Sequence, residues 1–342
     1  MNATSTLRVL GWTTCLAMIG CPRSAPERSS DVSSAPTTKA SAVEITTAPT
    51  KKTSSAEPSA TTLAQPALTE APKEPDAIAT YKWLSDEKVA PYPPRVDSLQ
   101  ARFVPPEGFT RVPLEAGSFG AFLRTLPLAA PGTPVVSYKG NVLHPGDDAN
   151  LAAIVAIDIG TADLQQCADS IVRMHAEWLF SQGRHDMTYR AASGVMMPFD
   201  KWLAGERPKA SGMSITWTKS ASPSSPTHPV LRRYLDDVFS FANTVALGVQ
   251  AQPIGFVDIT PGDFVVAGGN PGHAVLVLDV AQAKDGRKVA LLGQGYMPAQ
   301  SFQVLRPSPA SAWFALDEAA GALTTPYWEP FAWKTLRRLP AP

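Results

Sequence analysis

Between residues 22 and 78 the chain consists of Ser, Thr, Pro, Ala, Glu and Lys, with almost no large apolar side chains. Such a stretch cannot bury enough surface to offset the entropy lost on ordering it. Any hydrophobic core is therefore confined to the residues after it. The composition predicts an extended, hydrated tether whose work is reach. Residues 79–342, where aromatic and aliphatic side chains recur from Tyr81 onward, are expected to form one domain.

The segment before the tether has its own pattern. Arg8 is followed by a mostly apolar stretch from Val9 to Ile19, too short to span a bilayer as a stable helix. It ends in Leu16-Ala17-Met18-Ile19-Gly20-Cys21. This resembles the bacterial lipobox, with a small residue before the cysteine that receives the lipid. The resemblance implies a signal peptide over residues 1–20, lipidation of Cys21 and a bilayer as partner through that anchor. The bland alternative is an ordinary signal peptide in which Cys21 is incidental. Pro22 after the cysteine fits the outer-membrane sorting rule of Gram-negative lipoproteins.

Charge narrows the classes further. With 30 basic and 30 acidic residues and no long Lys/Arg run, nothing predicts a nucleic-acid partner. Only Cys15, Cys21 and Cys167 are present, so the mature chain is expected to keep one free thiol, Cys167, and no disulfide framework. The five histidines show no metal-ligand spacing, and no cofactor is expected.

Periodicity places the elements. Short helices are predicted at residues 118–126 and 198–204, and longer ones at 163–181 and 229–247. Strands are predicted at 152–159, 214–219, 263–267, 273–280 and 288–292, the last two joined by the turn Lys284-Asp285-Gly286-Arg287. The fold class is α+β, with helices packed on an antiparallel sheet.

The stretch from Pro261 to Asp279, with its Pro-Gly-Asp turn and Gly272-His273 pair opening an apolar strand, resembles the second half of NlpC-type, papain-like cysteine peptidases. That likeness implies cleavage of peptide or amide bonds in cell-wall peptides. His273 would be the base, and Gln294, on the following strand, its orienting partner. In that family the nucleophile helix lies just before the Pro-Gly-Asp turn. Here the corresponding helix has no cysteine, only Ser240, Asn243 and Thr244 as polar residues in its second half. Cys167, on an earlier helix, is the candidate nucleophile. Gly269, Asn270, Gly272 and Tyr296 are candidate ligand contacts, with peptidoglycan or a peptide as ligand. The segments 117–128, 164–184 and 268–302 are also similar to an uncharacterised bacterial lipoprotein family, domain of unknown function 4846, over about residues 80–340.

Each residue has a plainer reading. Cys167 lies on the apolar stripe of its helix, where buried cysteine is common and inert. A lone histidine is often satisfied by a backbone partner. Arg173 and His175, with Arg184 and His185, read as a solvated helix face, and Tyr189, Trp202 and Trp217 as core or groove aromatics. Two functions stay open: a cysteine amidase or peptidase of the cell envelope, or a non-catalytic envelope-binding lipoprotein that keeps the groove.

Overall fold

The apolar run that starts at Ala274 alternates between two cores, and this builds the centre of the fold. A computed structural model describes residues 77–86 and 92–341. The expected signal peptide, Cys21 and nearly all of the expected tether lie outside the described residues. A short helix, Ala77–Thr80, falls across the boundary expected at residue 79.

The main sheet has nine strands: β1 (Phe109–Arg111), β2 (Leu151–Ile154), β3 (Gln252–Pro253), β4 (Asp263–Ala267), β5 (His273–Ala283), β6 (Lys288–Gln294), β7 (Gln303–Leu305), β8 (Phe314–Leu316) and β9 (Leu336–Arg338). Its order is β3-β9-β4-β5-β6-β7-β2, with β8 also pairing β6 and β1 also pairing β5. Every pairing is antiparallel. The β5–β6 hairpin closes over Gly286, whose φ of +91° is open to glycine at no steric cost. The mixed helix-and-strand architecture with antiparallel sheets agrees with the α+β expectation.

Along β5, Ala274, Leu276 and Leu278 join the core beneath the helices, while Val275 and Val277 join a second core on the opposite face. A bulge between Val277 and Asp279 then shifts the alternation. There the buried Asp279 carboxylate accepts hydrogen bonds from Arg111 Nε at 2.6 Å and Arg124 Nε at 2.8 Å. Because both faces are covered, β5 reads as a continuous apolar run instead of alternating with polar residues.

The helical face carries α1 (Phe119–Arg124), α2 (Cys167–Ser181), α3 (His228–Phe241) and α4 (Thr244–Gln250). Three expectations are corrected here. First, the helix predicted from residue 163 begins at Cys167. Gln166 is its N-cap in a reciprocal capping box with Asp169, whose Oδ2 accepts from Gln166 N at 3.2 Å. Second, the single helix expected over 229–247 is two. Ala242 is extended, and Asn243 starts α4 by accepting from Ala246 N at 2.8 Å.

Third, Arg173 and His175 are not on a solvated face. Every residue of α2 from Cys167 to Leu179 is buried. Arg173 pairs with Asp158 and Glu177, each at 2.7 Å, and His228 bridges Glu177 (2.9 Å) and Asp86 (2.8 Å). Burial alone would raise the Asp158 carboxyl pKa; the Arg173 and Arg232 charges outweigh it and hold that pKa far below the usual range. The network ties α2 to α3 and to the chain around Asp158. Tyr189 and Trp202 are core, and Trp217 is half-buried.

Candidate functional site

The site forms where the first turn of α2 meets the start of β5 and the end of β6. The capping box makes Cys167 the first residue of α2. Asp163, the helix start expected from sequence, instead accepts from Ala299 N at 2.7 Å and Gln166 Nε2 at 3.0 Å. It therefore fixes the preceding loop to the segment after β6. Gly295 lets the two meet: a Cβ there would run into Ser170 Oγ and lie 2.9 Å from Gln166 O.

The Cys167 thiol is buried and donates to Gly272 O at 3.8 Å. The backbone N–H of Ala274 is also beside the sulfur, with those of Ala168 and Cys167 itself. The thiol thus sits against the backbone on both sides of His273. Burial, then the nearby Asp169 charge, push the thiol pKa up to about 11, and the amides only partly offset this.

His273 is 0% exposed. Its Nε2 lies 2.7 Å from Gln294 Oε1, while its Nδ1 has no hydrogen-bond partner among the described residues. Burial lowers the imidazole pKa to about 4 against the opposing effect of Gln294. At neutral pH the ring is therefore neutral. With Nε2–H donating to Gln294, the lone pair is on Nδ1.

The ring is enclosed by Tyr296, Trp328 and Phe331, with centroids at 4.9, 5.0 and 6.0 Å. The Tyr296 hydroxyl donates to Tyr327 O at 3.0 Å. Tyr327 has a φ of +69°, a strained value for a bulky residue, at the hairpin that delivers Trp328.

Gly269, Asn270 and Gly272 line a cavity of about 200 Å³ that also touches Cys167. Gly272 is required by close approach, since a Cβ would meet Ala267 O and Gly269 N, each at 2.8 Å. Tyr296 is not on this cavity's wall and packs on His273 instead. Asn243 and Thr244 do line it, so the helix expected to supply a nucleophile supplies walls. Ser240 is exposed and donates to Asp236 O at 2.8 Å.

Sequence reasoning missed Asp169, Trp328 and Phe331. Asp169 was legible as the partner in a Gln-x-x-Asp capping box, once the helix is started at Gln166. Trp328 and Phe331 carried no local signal, because their hairpin reaches His273 only through the tertiary fold. Among the described residues no group of three or more His, Cys, Asp or Glu side chains is placed to hold a metal ion.

Fold and site define a mixed helix-and-sheet protein in which a buried His273–Gln294 pair lies at one end of an antiparallel sheet, and the buried Cys167 thiol contacts the backbone beside His273 without a hydrogen bond to its ring. The chain belongs to the family described as domain of unknown function (4846), whose profile matches residues 99–338. Neither a curated protein nor a solved structure matches it.

Proposed function

We propose that this protein is a lipid-anchored cell-envelope hydrolase with a papain-like, NlpC-like domain. In this reading Cys167 is the nucleophile, His273 the base and Gln294 the orienting group, and the substrate is a peptide or amide bond of a cell-wall peptide. The observation that carries it is the thiol at the first residue of α2, against the Gly272 and Ala274 backbone on either side of His273, whose ring is oriented by Gln294; sulfur and imidazole make no hydrogen bond to each other here, so the reading requires the two to close on substrate binding. The thiol proton would pass to Nδ1 as sulfur bonds to the carbonyl carbon. The imidazolium would return the proton to the departing amine, and water would hydrolyse the thioester. First-turn amides of α2 beside the sulfur are suited to stabilise the developing oxyanion. Anchoring through Cys21 at the outer membrane, with residues 21–78 as tether, belongs to the same proposal.

A second reading has its own support. Thiol and imidazole are both almost fully buried, and their pKa values, about 11 and about 4, make the resting pair neutral. That favours a binding lipoprotein that keeps the groove without the chemistry. Incubation with soluble cell-wall peptides, followed by mass spectrometry of the products, separates the two. The enzyme reading expects cleavage by the wild type, none by Cys167→Ala, and a loss of about 10²-fold or more in His273→Ala, the usual size of a general-base contribution. Equal peptide binding by wild type and Cys167→Ala, with no cleavage by either, supports the binding reading.

A further inference from the structure

We propose that His228 is a proton-operated latch: as an imidazolium it ties Asp86, which follows the short 3-10 turn Lys82–Ser85, to α2, and on losing its proton it lets Asp86 go. The inference goes beyond the proposed function and does not depend on any chemistry at Cys167.

The imidazole lies between two carboxylates. His228 Nδ1 is 2.8 Å from Asp86 Oδ2, and Nε2 is 2.9 Å from Glu177 Oε1. An ionised carboxylate only accepts, so both ring nitrogens must carry hydrogen, and the ring is then a cation. The charges around it agree. Arg173, Arg232 and His228 face Asp158, Glu177 and Asp86, and none of these six side chains is more than 11% exposed. Three buried cations thus meet three buried carboxylates. Further out, Lys82 lines the cavity beside the ring, the half-exposed Asp236 pairs with Arg232 at 3.5 Å, and the Tyr92 phenol feels the charges of Asp158 and Asp86.

The protonation states fit this arrangement. Burial alone would raise the Glu177 pKa, but the charges of Arg173 and His228 hold it below the usual carboxylate value. Burial alone would lower the His228 pKa. The Glu177 charge and hydrogen bond, with the Asp86 hydrogen bond, outweigh that and the repulsion from Arg173, and raise it above the ordinary 6.5. Such a group contributes stability that is fully present below about pH 6.5 and is lost as the pH rises through the folded value.

A neutral imidazole has one N–H and one lone pair, so it cannot serve two carboxylates. Glu177 keeps the remaining proton. Its Oε1 also accepts from Arg173 Nε at 2.7 Å, and its side chain is 1% exposed, so solvent is not at hand to replace His228. Asp86 instead lines a cavity of about 310 Å³ with Ser85 and Thr227, where water can solvate the carboxylate. The Nδ1 lone pair then faces Asp86 and that contact opens. Release stops there. Tyr81 and Trp83 are fully buried, with the Tyr81 hydroxyl donating to Phe122 O and Trp83 Nε1 to Ala156 O, each at 2.8 Å. The latch therefore loosens only the Ser85–Asp86 end of the turn.

The test labels the five histidines of the full chain with ¹³C at Cε1 and follows their titration by NMR, with His228→Gln assigning the His228 signal. His228 should titrate above 6.5, and its pKa should fall in Asp86→Asn, which removes one of the two carboxylates. Hydrogen exchange, corrected for its intrinsic pH dependence, is read by mass spectrometry on the peptide covering residues 82–86. Protection there should drop about 10- to 100-fold as the pH rises through the His228 titration, the range that a hydrogen bond to a charged group implies. Peptides of α2 should keep their protection. In Asp86→Asn the protection of residues 82–86 should be low and flat over the same range. Should His228→Gln not fold, the shift caused by Asp86→Asn assigns the signal. A His228 pKa at or below 6.5, or protection of residues 82–86 that does not follow the His228 titration, would overturn the proposal.

Discussion

Gln294 Oε1 lies 2.7 Å from His273 Nε2, across the β5–β6 hairpin and beneath a cover of aromatic rings. The bond fixes which imidazole nitrogen carries the proton, and with it what the histidine offers its surroundings. Replacing Gln294 by Leu keeps approximate volume but leaves Nε2 buried and unpaired. The protein should lose roughly 1–3 kcal/mol in urea unfolding, the cost of a buried polar group without a partner. Loss of stability within a few tenths would mean that the bond does not order the site.

Gly295→Ala tests the packing of α2 on β6. The new methyl would collide with Ser170 Oγ and Gln166 O, both in the first turn that carries Cys167. A loss of about 1–3 kcal/mol is expected, typical of overpacking, with a changed rate of Cys167 alkylation. An unchanged rate and midpoint would show that the turn yields freely.

The Arg173 network should behave as a unit. Arg173 is 0% exposed, and Arg173→Ala would leave Asp158 and Glu177 buried without their shared cation. The expected cost is about 3–5 kcal/mol, as when one partner of a buried pair is removed. A much smaller loss would mean that water reaches the vacated volume.

These predictions rest on parts of the molecule that the sequence revealed unevenly. The strands at 263–267 and 273–280, and their hairpin with 288–292, were legible because long apolar runs flanked by Gly and Asp turns have few alternatives. The pairing of His273 with Gln294 followed from the same hairpin together with a family likeness. The start of α2 was misplaced because Asp163 is the better intrinsic N-cap, whereas here tertiary contact with Ala299 claims its carboxylate and a Gln166–Asp169 capping box starts the helix. That shift of four residues matters, since it puts Cys167 at the helix's first position. The buried polar residues of α2 were illegible for a related reason: Arg173 and His175 look solvent-facing until Asp158 and Tyr189, outside the helix, arrive to pair them.

His273 gives a pH dependence with a definite sign. Its folded pKa, about 4, lies below the ordinary value of 6.5. Between these values the unfolded chain binds a proton that the folded one refuses. This contribution is fully present above about pH 6.5 and is lost as the pH falls toward 4. Unfolding free energies of the wild type and His273→Gln should therefore differ most, and by a constant amount, above pH 6.5 and approach each other as the pH falls from 6.5 toward 4. A constant difference across pH 4–7 would show that the ring titrates normally.

The most direct test of the account is the pH dependence of Cys167 alkylation, followed by mass spectrometry of the peptide that carries it, in the wild type and in His273→Ala. A thiol with a pKa of about 11 and no base would react only in proportion to its thiolate. With His273 Nδ1 acting as base, the wild type should react faster than the variant at neutral pH, by about 10²-fold if the full general-base effect is expressed. The two profiles should converge as the pH approaches 11. Superimposable profiles at every pH, or no alkylation of Cys167 until the chain unfolds, would contradict the account and leave Cys167 as a core residue.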